Sequence, residues 1–240
     1  MTSNVVTYNA ALEIASHEAM IRQTYKDSIG VLTWNVGMTN ATGHTVERYI
    51  GKPASIEHCM SLYVWALEKY AVRVRRAFAG HELTEAQFAA ALSFDWNTGA
   101  ILRATWVQKW RAGDIGGARE DFMNYSKPTS IISRRKKERD LFFKGRWTNK
   151  GTILEYTKVS QSSMSPVWSS AKRVDISQEL KAAFGSQLAV KEDTPSSNPV
   201  SNMNPTLTPV KTDDEAGSAS GWQKLIASVI QFVASLFKRR

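Results

Sequence analysis

The chain has 240 residues, and its 31 Lys and Arg against 22 Asp and Glu give a formal net charge of +9. This length suits one substantial domain with appendages or two small domains, while a hydrophobic fraction of 42% and a single cysteine exclude wholesale disorder and a disulfide framework. The positive charge calls for an anionic partner, and composition leaves nucleic acid, phospholipid and an acidic polymer open.

The N-terminal segment predicts a helix followed by a short β element. Residues 8–21 have apolar side chains at helical spacing, residues 26–30 have turn chemistry, and residues 31–36 favour a strand. The N-terminal residues lack the cationic start and apolar run of a secretory signal peptide. We therefore expect the folded product to accumulate in the cytoplasm.

The body of the chain is predicted to be mostly helical. A long helix is expected from the N-cap Ser55 to Phe78, and Thr84 and Gln87 have the spacing of a capping box that opens the next helix. Further helix ends and starts are indicated at Gly113, Asp114, Ser130 and Gly145. Together with the early strand, these elements predict the α+β class.

We divide the chain into four parts. Residues 1–147 are the main domain, and residues 148–189, which predict a strand and a short helix, are a small extension. Residues 190–221 are rich in Pro, Ser, Asn, Thr and acidic residues, without aromatics, and predict a flexible linker. Residues 222–240 have an i, i+3, i+4, i+7 apolar pattern and a basic end, which predicts an amphipathic helix.

The predicted C-terminal helix is too short to favour spanning a bilayer. At about 1.5 Å per residue its apolar stretch is about 24 Å long, against a hydrocarbon core of about 30 Å. We expect it to lie in the surface of an anionic membrane; the alternatives are docking on its own domain, self-association and true spanning. The residues expected to contact the membrane are Trp222, Lys224, Phe232, Phe237, Lys238, Arg239 and Arg240.

Two carboxylates and a hydroxyl are the candidates for catalysis. Glu18 lies near the end of the predicted first helix, Asp27 lies in the turn, and Thr33 lies in the strand, so all three can reach one cleft. Hydrolysis of a glycosidic bond needs one carboxylic acid that donates a proton and a second group that activates water or stabilises an oxocarbenium-like transition state. Spacing alone is weak evidence, because surface carboxylates are usually solvated charges.

Three motifs resemble one family of enzymes. The candidate triad has the spacing found in bacteriophage-type lysozymes (glycoside hydrolase family 24), and residues 25–33 resemble the family's Y-x-D-x-x-G-x-x-T run. Residues 83–99 resemble its L-T-x-x-Q segment, and residues 134–142 resemble its R-R-x-x-E-R-x-L-F helix. The resemblance covers roughly residues 9–147.

The resemblance implies a two-lobed lysozyme fold, mostly helical, with a small N-terminal β element and a helical C-terminal lobe joined by the long helix. It implies peptidoglycan as the substrate, cut at the β-1,4 bond between N-acetylmuramic acid and N-acetylglucosamine. Glu18 would be the general acid, Asp27 would position water or stabilise the sugar cation, and Thr33 would hold that water or its polar network. Asn97 falls where the family has a substrate-facing residue, and the alternative is a turn amide. No cofactor is expected, and the histidine spacing predicts no metal site.

The sequence departs from the family just after the triad, where the family continues with x-G-x-G-H-T. Asn35 stands in place of a glycine and Met38 in place of the histidine. Asn tolerates positive φ better than most residues, so the turn can persist. Met38 cannot donate a hydrogen bond or carry a charge, which affects the support of the cleft but not the triad itself.

The resemblance favours a monomeric phage endolysin that stays in the host cytoplasm until lysis and then acts at the cell wall or periplasm. The rivals are a non-catalytic wall-binding or virion structural protein, a mainly membrane-lytic protein, and a transglycosylase. The basic charge is concentrated in residues 134–150, expected to face the acidic wall, and in residues 222–240, expected to face anionic lipid. No nucleic-acid-binding motif is recognisable, so nucleic acid is not expected as a partner.

Overall fold

The computed structural model describes residues 4–27 and 30–192, with side chains described up to residue 186. It is an α+β protein with a small sheet and a larger helical lobe, as predicted. The helices are α1 (Tyr8–Ser16), α2 (Ile56–Ala77), α3 (Glu85–Thr98), α4 (Thr105–Arg111), α5 (Ile115–Asp121), α6 (Ile132–Lys144) and α7 (Ser177–Glu192). The strands are β1 (Ala19–Lys26), β2 (Leu32–Asn35), β3 (Met38–Thr39), β4 (Thr152–Tyr156) and β5 (Ala171–Asp175).

The first helix is shorter than the sequence predicts. α1 ends at Ser16, so the expectation of a helix as far as residue 21 is wrong. The following residues form β1, because strands on both sides pair with them and because Tyr25 packs against Tyr156 in a small apolar cluster. Tertiary pairing overrides local helical spacing here. Glu18 therefore lies in the turn between α1 and β1 rather than on the helix.

The strands form one five-stranded sheet in the order β3-β2-β1-β4-β5. β1 pairs antiparallel with β2, with Tyr25 opposite Thr33, and parallel with β4, with Ala19 opposite Leu154. β1 thus lies at the centre, between the predicted N-terminal β element and the strand predicted over residues 152–159.

The long helix predicted between the two lobes is confirmed. The Ser55 hydroxyl accepts a hydrogen bond from the His58 N–H at 3.2 Å, and the helix ends at Phe78. The capping box of α3 is also confirmed, since Thr84 and Gln87 each accept a side-chain hydrogen bond from the other's backbone N–H, at 3.2 and 3.0 Å. α2 packs against α3 and α7.

Aromatic side chains fill the helical lobe. Trp106 is fully buried, and its ring lies 4.6–5.3 Å from the rings of Phe94, Phe122 and Phe142, measured between centroids. Offset and edge-on contacts of this kind stabilise a core beyond the apolar area they bury. Among residues 4–27 and 30–192, no helix has the length and apolar character needed to cross a membrane.

The residues that follow α6 pack into the same apolar core as the helices before them. Ile176, Leu180 and Ala183 are buried in the main apolar cluster, and α7 packs on α1 and α2. α7 contains the helix predicted over residues 177–184 and continues to Glu192, into the first residues of the predicted linker. The boundaries at residues 147 and 189 stay predictions. Most of the linker and the whole predicted amphipathic helix lie outside the described residues.

Candidate active site

β1 connects the two candidate carboxylates. Glu18 precedes the strand, Asp27 follows it, and Thr33 lies on the adjacent β2. The pairing of β1 with β2 shifts register between Ile21 and Tyr25, and a bulge of this kind bends a strand. Such a bend lets residues at the two ends of β1 approach one another more closely than a straight strand allows.

Tyr25 lies within electrostatic range of both candidate carboxylates. Its side chain is buried, and burial raises the pKa of the phenol well above its usual range. The negative charges of Glu18 and Asp27 raise that pKa further. Both carboxylates therefore act electrostatically on the same hydroxyl, and their pairing in one catalytic site stays a prediction.

Glu18 is a buried carboxyl that faces a guanidinium. It is 8% exposed, and its Oε1 accepts a hydrogen bond from Arg134 Nη1. Burial raises the pKa of Glu18, because the charged form loses its hydration, and the nearby positive charge of Arg134 offsets this only in part. A carboxyl with a raised pKa can stay protonated and give its proton to a leaving group.

Arg134 belongs to a buried ionic network that links α3 and α6. Its Nε donates to Glu138 Oε1 at 2.7 Å, and the Ser93 hydroxyl donates to the same oxygen at 2.6 Å. Arg135 donates to the other oxygen of Glu138. Burial alone would raise the pKa of Glu138, but Arg135 and Arg134 hold it below its usual range. The network holds Arg134 in place beside Glu18 and keeps the guanidinium charge compensated.

The placement of Arg134 and Arg135 corrects the interpretation of the basic run. The sequence predicts that both lie in a surface patch that faces the acidic wall, and this is wrong. Their side chains are 3% and 0% exposed and pair with buried carboxylates. The i, i+4 spacing of Arg134 and Glu138 predicts that they pair, but it does not distinguish a buried pair from a solvated one. Lys136, Lys137 and other cations of the run are exposed.

Asp27 has a more polar setting than Glu18. It is half-buried in the turn after β1, its Oδ1 accepts a hydrogen bond from the Val31 N–H at 2.9 Å, and its carbonyl accepts from the Gly30 N–H at 3.0 Å. The Thr33 side chain is buried, and its hydroxyl donates to the Val31 carbonyl at 3.1 Å. The backbone of Val31 therefore forms a hydrogen bond with each of the two side chains.

Asn97 lies in the interior near the end of α3. It is 1% exposed, its Oδ1 accepts from Arg135 Nη2 at 2.6 Å, and within the described part of the chain its Nδ2 has no hydrogen-bond partner. The structure thus connects Asn97 to the arginine network. Contact with substrate stays a prediction for this residue.

The turn that departs from the family pattern is retained. Asn35 has a φ of 59°, so it takes the left-handed conformation that glycine usually supplies. Its Nδ2 donates to the Cys59 carbonyl at 2.6 Å, which ties the turn to α2. Met38 is fully buried beside this amide, with Sδ 3.7 Å from Nδ2. Met38 thus fills a packing position in the core.

The C-terminal extension contacts the strand that joins the two carboxylates. Near Glu18, the backbone of Ala19 pairs with Leu154. Next to Asp27, the Lys26 N–H donates to the Met164 carbonyl at 2.7 Å. Sequence reasoning missed these contacts, because their partners are more than a hundred residues apart and share no motif.

The remaining predicted site residues fall outside the described part. The seven expected membrane-contacting residues, from Trp222 to Arg240, belong to residues 193–240. Within the described residues, no group of three or more His, Cys, Asp or Glu side chains could hold a metal ion.

A buried carboxyl with a raised pKa and a second carboxylate at the other end of the same strand, on a two-lobed α+β fold, define a glycoside hydrolase of the lysozyme type. The chain belongs to the phage lysozyme family, whose model matches residues 15–138. It is a muramidase, and its substrate is peptidoglycan.

Among solved structures, the chain is similar in fold to an endolysin from the Escherichia coli O157:H7 phage FAHEc1. The two are 22% identical with a TM-score of 0.54, over 60% of this chain and 97% of that one. A mutant of P22 lysozyme is 23% identical over 59% of this chain and 99% of that one, with a TM-score of 0.49. The muramidase domain of SpmX from Asticaccaulis excentricus is 20% identical over 58% and 97%, with a TM-score of 0.48. No curated protein matches the sequence.

Proposed function

We propose that the chain is a phage endolysin that hydrolyses the β-1,4 bond between N-acetylmuramic acid and N-acetylglucosamine. The observation that carries the proposal is the state of Glu18, which is buried against Arg134, has a raised pKa, and immediately precedes the strand that leads to Asp27. A carboxyl in this setting suits the general acid of a glycosidase, while Asp27 lies in a more polar turn.

In the proposed reaction, Glu18 donates its proton to the glycosidic oxygen as the bond from the sugar carbon breaks. Arg134 engages Oε1, so Oε2 is the oxygen that carries the transferable proton. Once the proton has left, the new carboxylate is paired with Arg134, which offsets part of the cost of a buried charge. Asp27 positions the attacking water or stabilises the sugar cation, and Thr33 holds that water or the polar network around it.

The test compares the wild-type chain with Glu18→Gln on purified peptidoglycan, with released reducing ends as the readout. A general acid contributes about a hundredfold or more, so we expect at least that loss. Glu120→Gln, which changes an exposed carboxylate on α5, is the matched control and keeps wild-type activity. Equal, near-background signals from wild type and Glu18→Gln would favour a non-catalytic wall-binding or virion protein.

Product mass separates hydrolysis from transglycosylation. The hydrolytic product carries one more water than the anhydro-sugar that a transglycosylase forms. Since Asp27 provides a second carboxylate beside Glu18, we expect the hydrolytic mass. An anhydro-sugar as the main product would overturn this part of the proposal.

We also propose that residues 222–240 bind anionic membrane as an amphipathic helix. Their apolar periodicity and four basic residues without an acidic one support this. The enzyme would stay in the host cytoplasm until lysis and then act at the wall or periplasm. We expect a chain that ends at residue 192 to bind anionic vesicles more weakly than the full chain, and equal binding would contradict the proposal. Vesicle leakage by a peptide of residues 221–240 would favour the membrane-lytic alternative.

A further inference from the structure

A pocket of about 300 Å³ lies where the sheet lobe, α2 and the end of α3 meet. Thr42, which follows β3, borders it on one side, and Gly99, the C-cap of α3, borders it on the other. Lys69, Tyr70 and Arg73 on α2 form the wall between them. The pocket therefore bridges the two lobes, as a segment of a cleft between them would.

Tyr70 relates this pocket to the catalytic carboxyl. Burial raises the pKa of its phenol, and the negative charge of Glu18 is among the charges that raise it further. The ring of Tyr70 also packs on Trp96 at 4.9 Å between centroids, and Trp96 packs on Tyr63, whose pKa Glu18 likewise raises. Tyr70 thus lines the pocket and also lies within electrostatic range of Glu18, which is not among the lining residues.

The two cations of the pocket differ in how their charge is balanced. Arg73 donates to Asp95 at 2.7 and 3.3 Å and to the Gly99 carbonyl at 2.8 Å, so its charge is compensated by a buried carboxylate. Lys69 has no carboxylate within 4.0 Å among the side chains that the structure describes. The side chains of the wall therefore carry one uncompensated positive charge.

The Lys69 ammonium is held in place by neutral groups. Nζ donates to the Thr42 carbonyl at 3.0 Å and lies 4.0 Å from the centre of the Trp65 ring. It also lies 2.8 Å from where a Cβ at residue 43 would be, so Gly43 leaves the space that it occupies. Holding a long cationic side chain beforehand reduces the conformational entropy that it loses when a ligand binds.

We propose that Lys69 makes this pocket a subsite for a carboxylate of the substrate. The inference rests on the proposed function, because peptidoglycan offers two sources of carboxylate near the sugar ring. One is the stem peptide; the other is the lactyl group of muramic acid, which is ionised only where the peptide has been removed. An exposed cation on the wall of a concave pocket favours such an anion over a neutral sugar.

The test measures KM and kcat of Lys69→Gln on soluble uncross-linked glycan chains, with and without their stem peptides. Gln can still donate a hydrogen bond to Thr42, so this change removes the charge while keeping the local contact. We expect KM to rise about three- to tenfold with kcat nearly unchanged, and the rise to shrink at high salt. Lys69→Arg restores the wild-type KM, and Lys52→Gln, which changes an exposed cation in the loop before α2, is the matched control.

The substrates identify the source of the carboxylate. A rise in KM confined to peptide-bearing chains assigns the stem peptide, a rise confined to stripped chains assigns the lactyl group, and a rise on both assigns both carboxylates. Inhibition by a neutral N-acetylglucosamine oligomer serves as the reference and should be the same for wild type and Lys69→Gln. An unchanged KM on both chains, or an equal loss of affinity for the neutral oligomer, would overturn the inference. Absence of cleavage by the wild-type chain on every substrate would instead refute the proposed function.

Discussion

Glu13 on α1 offers a test of how the C-terminal extension is attached. Its carboxylate is fully buried and accepts four hydrogen bonds from Thr148 and Asn149, two from backbone N–H groups and two from side chains, at 2.6–3.1 Å. Burial alone would raise the pKa of Glu13, but the contact with His17 and the hydrogen bonds from Thr148 lower it from 4.5 to about 2. We predict that Glu13→Gln destabilises the protein strongly at neutral pH.

The magnitude follows from the pKa. At about 1.4 kcal/mol for each tenfold change in proton affinity, the fall from 4.5 to about 2 corresponds to about 3 kcal/mol of stability. Because the pKa is lower in the folded state, this contribution is fully present above pH 4.5 and is lost as pH falls toward 2. At pH 3.5 about 2 kcal/mol should remain. In Glu13→Gln, the amide also turns an N–H group toward the donors of Thr148 or Asn149.

Urea unfolding of wild type and Glu13→Gln between pH 7 and pH 3.5 measures the difference directly. The gap in unfolding free energy should narrow by about 1 kcal/mol over this range. Thr148→Val, which removes one donor, should lose less stability, about 1 kcal/mol, and the exposed Glu120→Gln should change little. A gap below about 1 kcal/mol at pH 7, or one that does not change with pH, would refute the reasoning.

Three further substitutions test the site itself. Arg134→Gln removes the positive charge that partly offsets the raised pKa of Glu18, so the alkaline limb of the kcat–pH profile should move to higher pH, and urea unfolding should show a loss of about 3–5 kcal/mol. Met38→His restores the residue of the family pattern but places an imidazole in a fully buried site beside Asn35, so we expect a stability loss of about 1–3 kcal/mol and no gain in kcat. Thr33→Val removes one hydrogen bond to a backbone carbonyl, so kcat should fall while urea unfolding changes by less than about 1.5 kcal/mol.

Local chemistry made much of the helical lobe predictable. The signals are short-range: apolar residues at helical spacing, the Ser55 N-cap, and the reciprocal hydrogen bonds of Thr84 and Gln87. α2 and α3 begin where these signals predict. α6 begins two residues after its predicted start at Ser130, because a 3₁₀ turn at Thr129–Ile131 precedes it. Helix ends of this kind depend on backbone geometry that side-chain patterns fix only loosely.

The site was predictable in its residues but not in its surroundings. The spacing of Glu18, Asp27 and Thr33, together with the resemblance, identified the candidates. The burial of Arg134 was not accessible, because a run of basic residues has the same composition on a solvated face as in a buried network. Only the fold shows that Arg134 pairs with both Glu18 and Glu138 inside the protein. It also shows that Arg135 pairs with Glu138.

The match to the family model ends at residue 138, yet later residues hold the strand between the two proposed catalytic carboxylates. β4 pairs with the start of β1, and the Met164 carbonyl accepts a hydrogen bond from the Lys26 N–H at the end of β1. In the middle of β1, Arg22 forms an ion pair with Glu155 at 2.7 Å. A shift of about 1 Å in the position of catalytic groups can cost about a hundredfold in rate. Residues 148–186 therefore hold the strand that connects the two proposed catalytic carboxylates, although they supply neither of them.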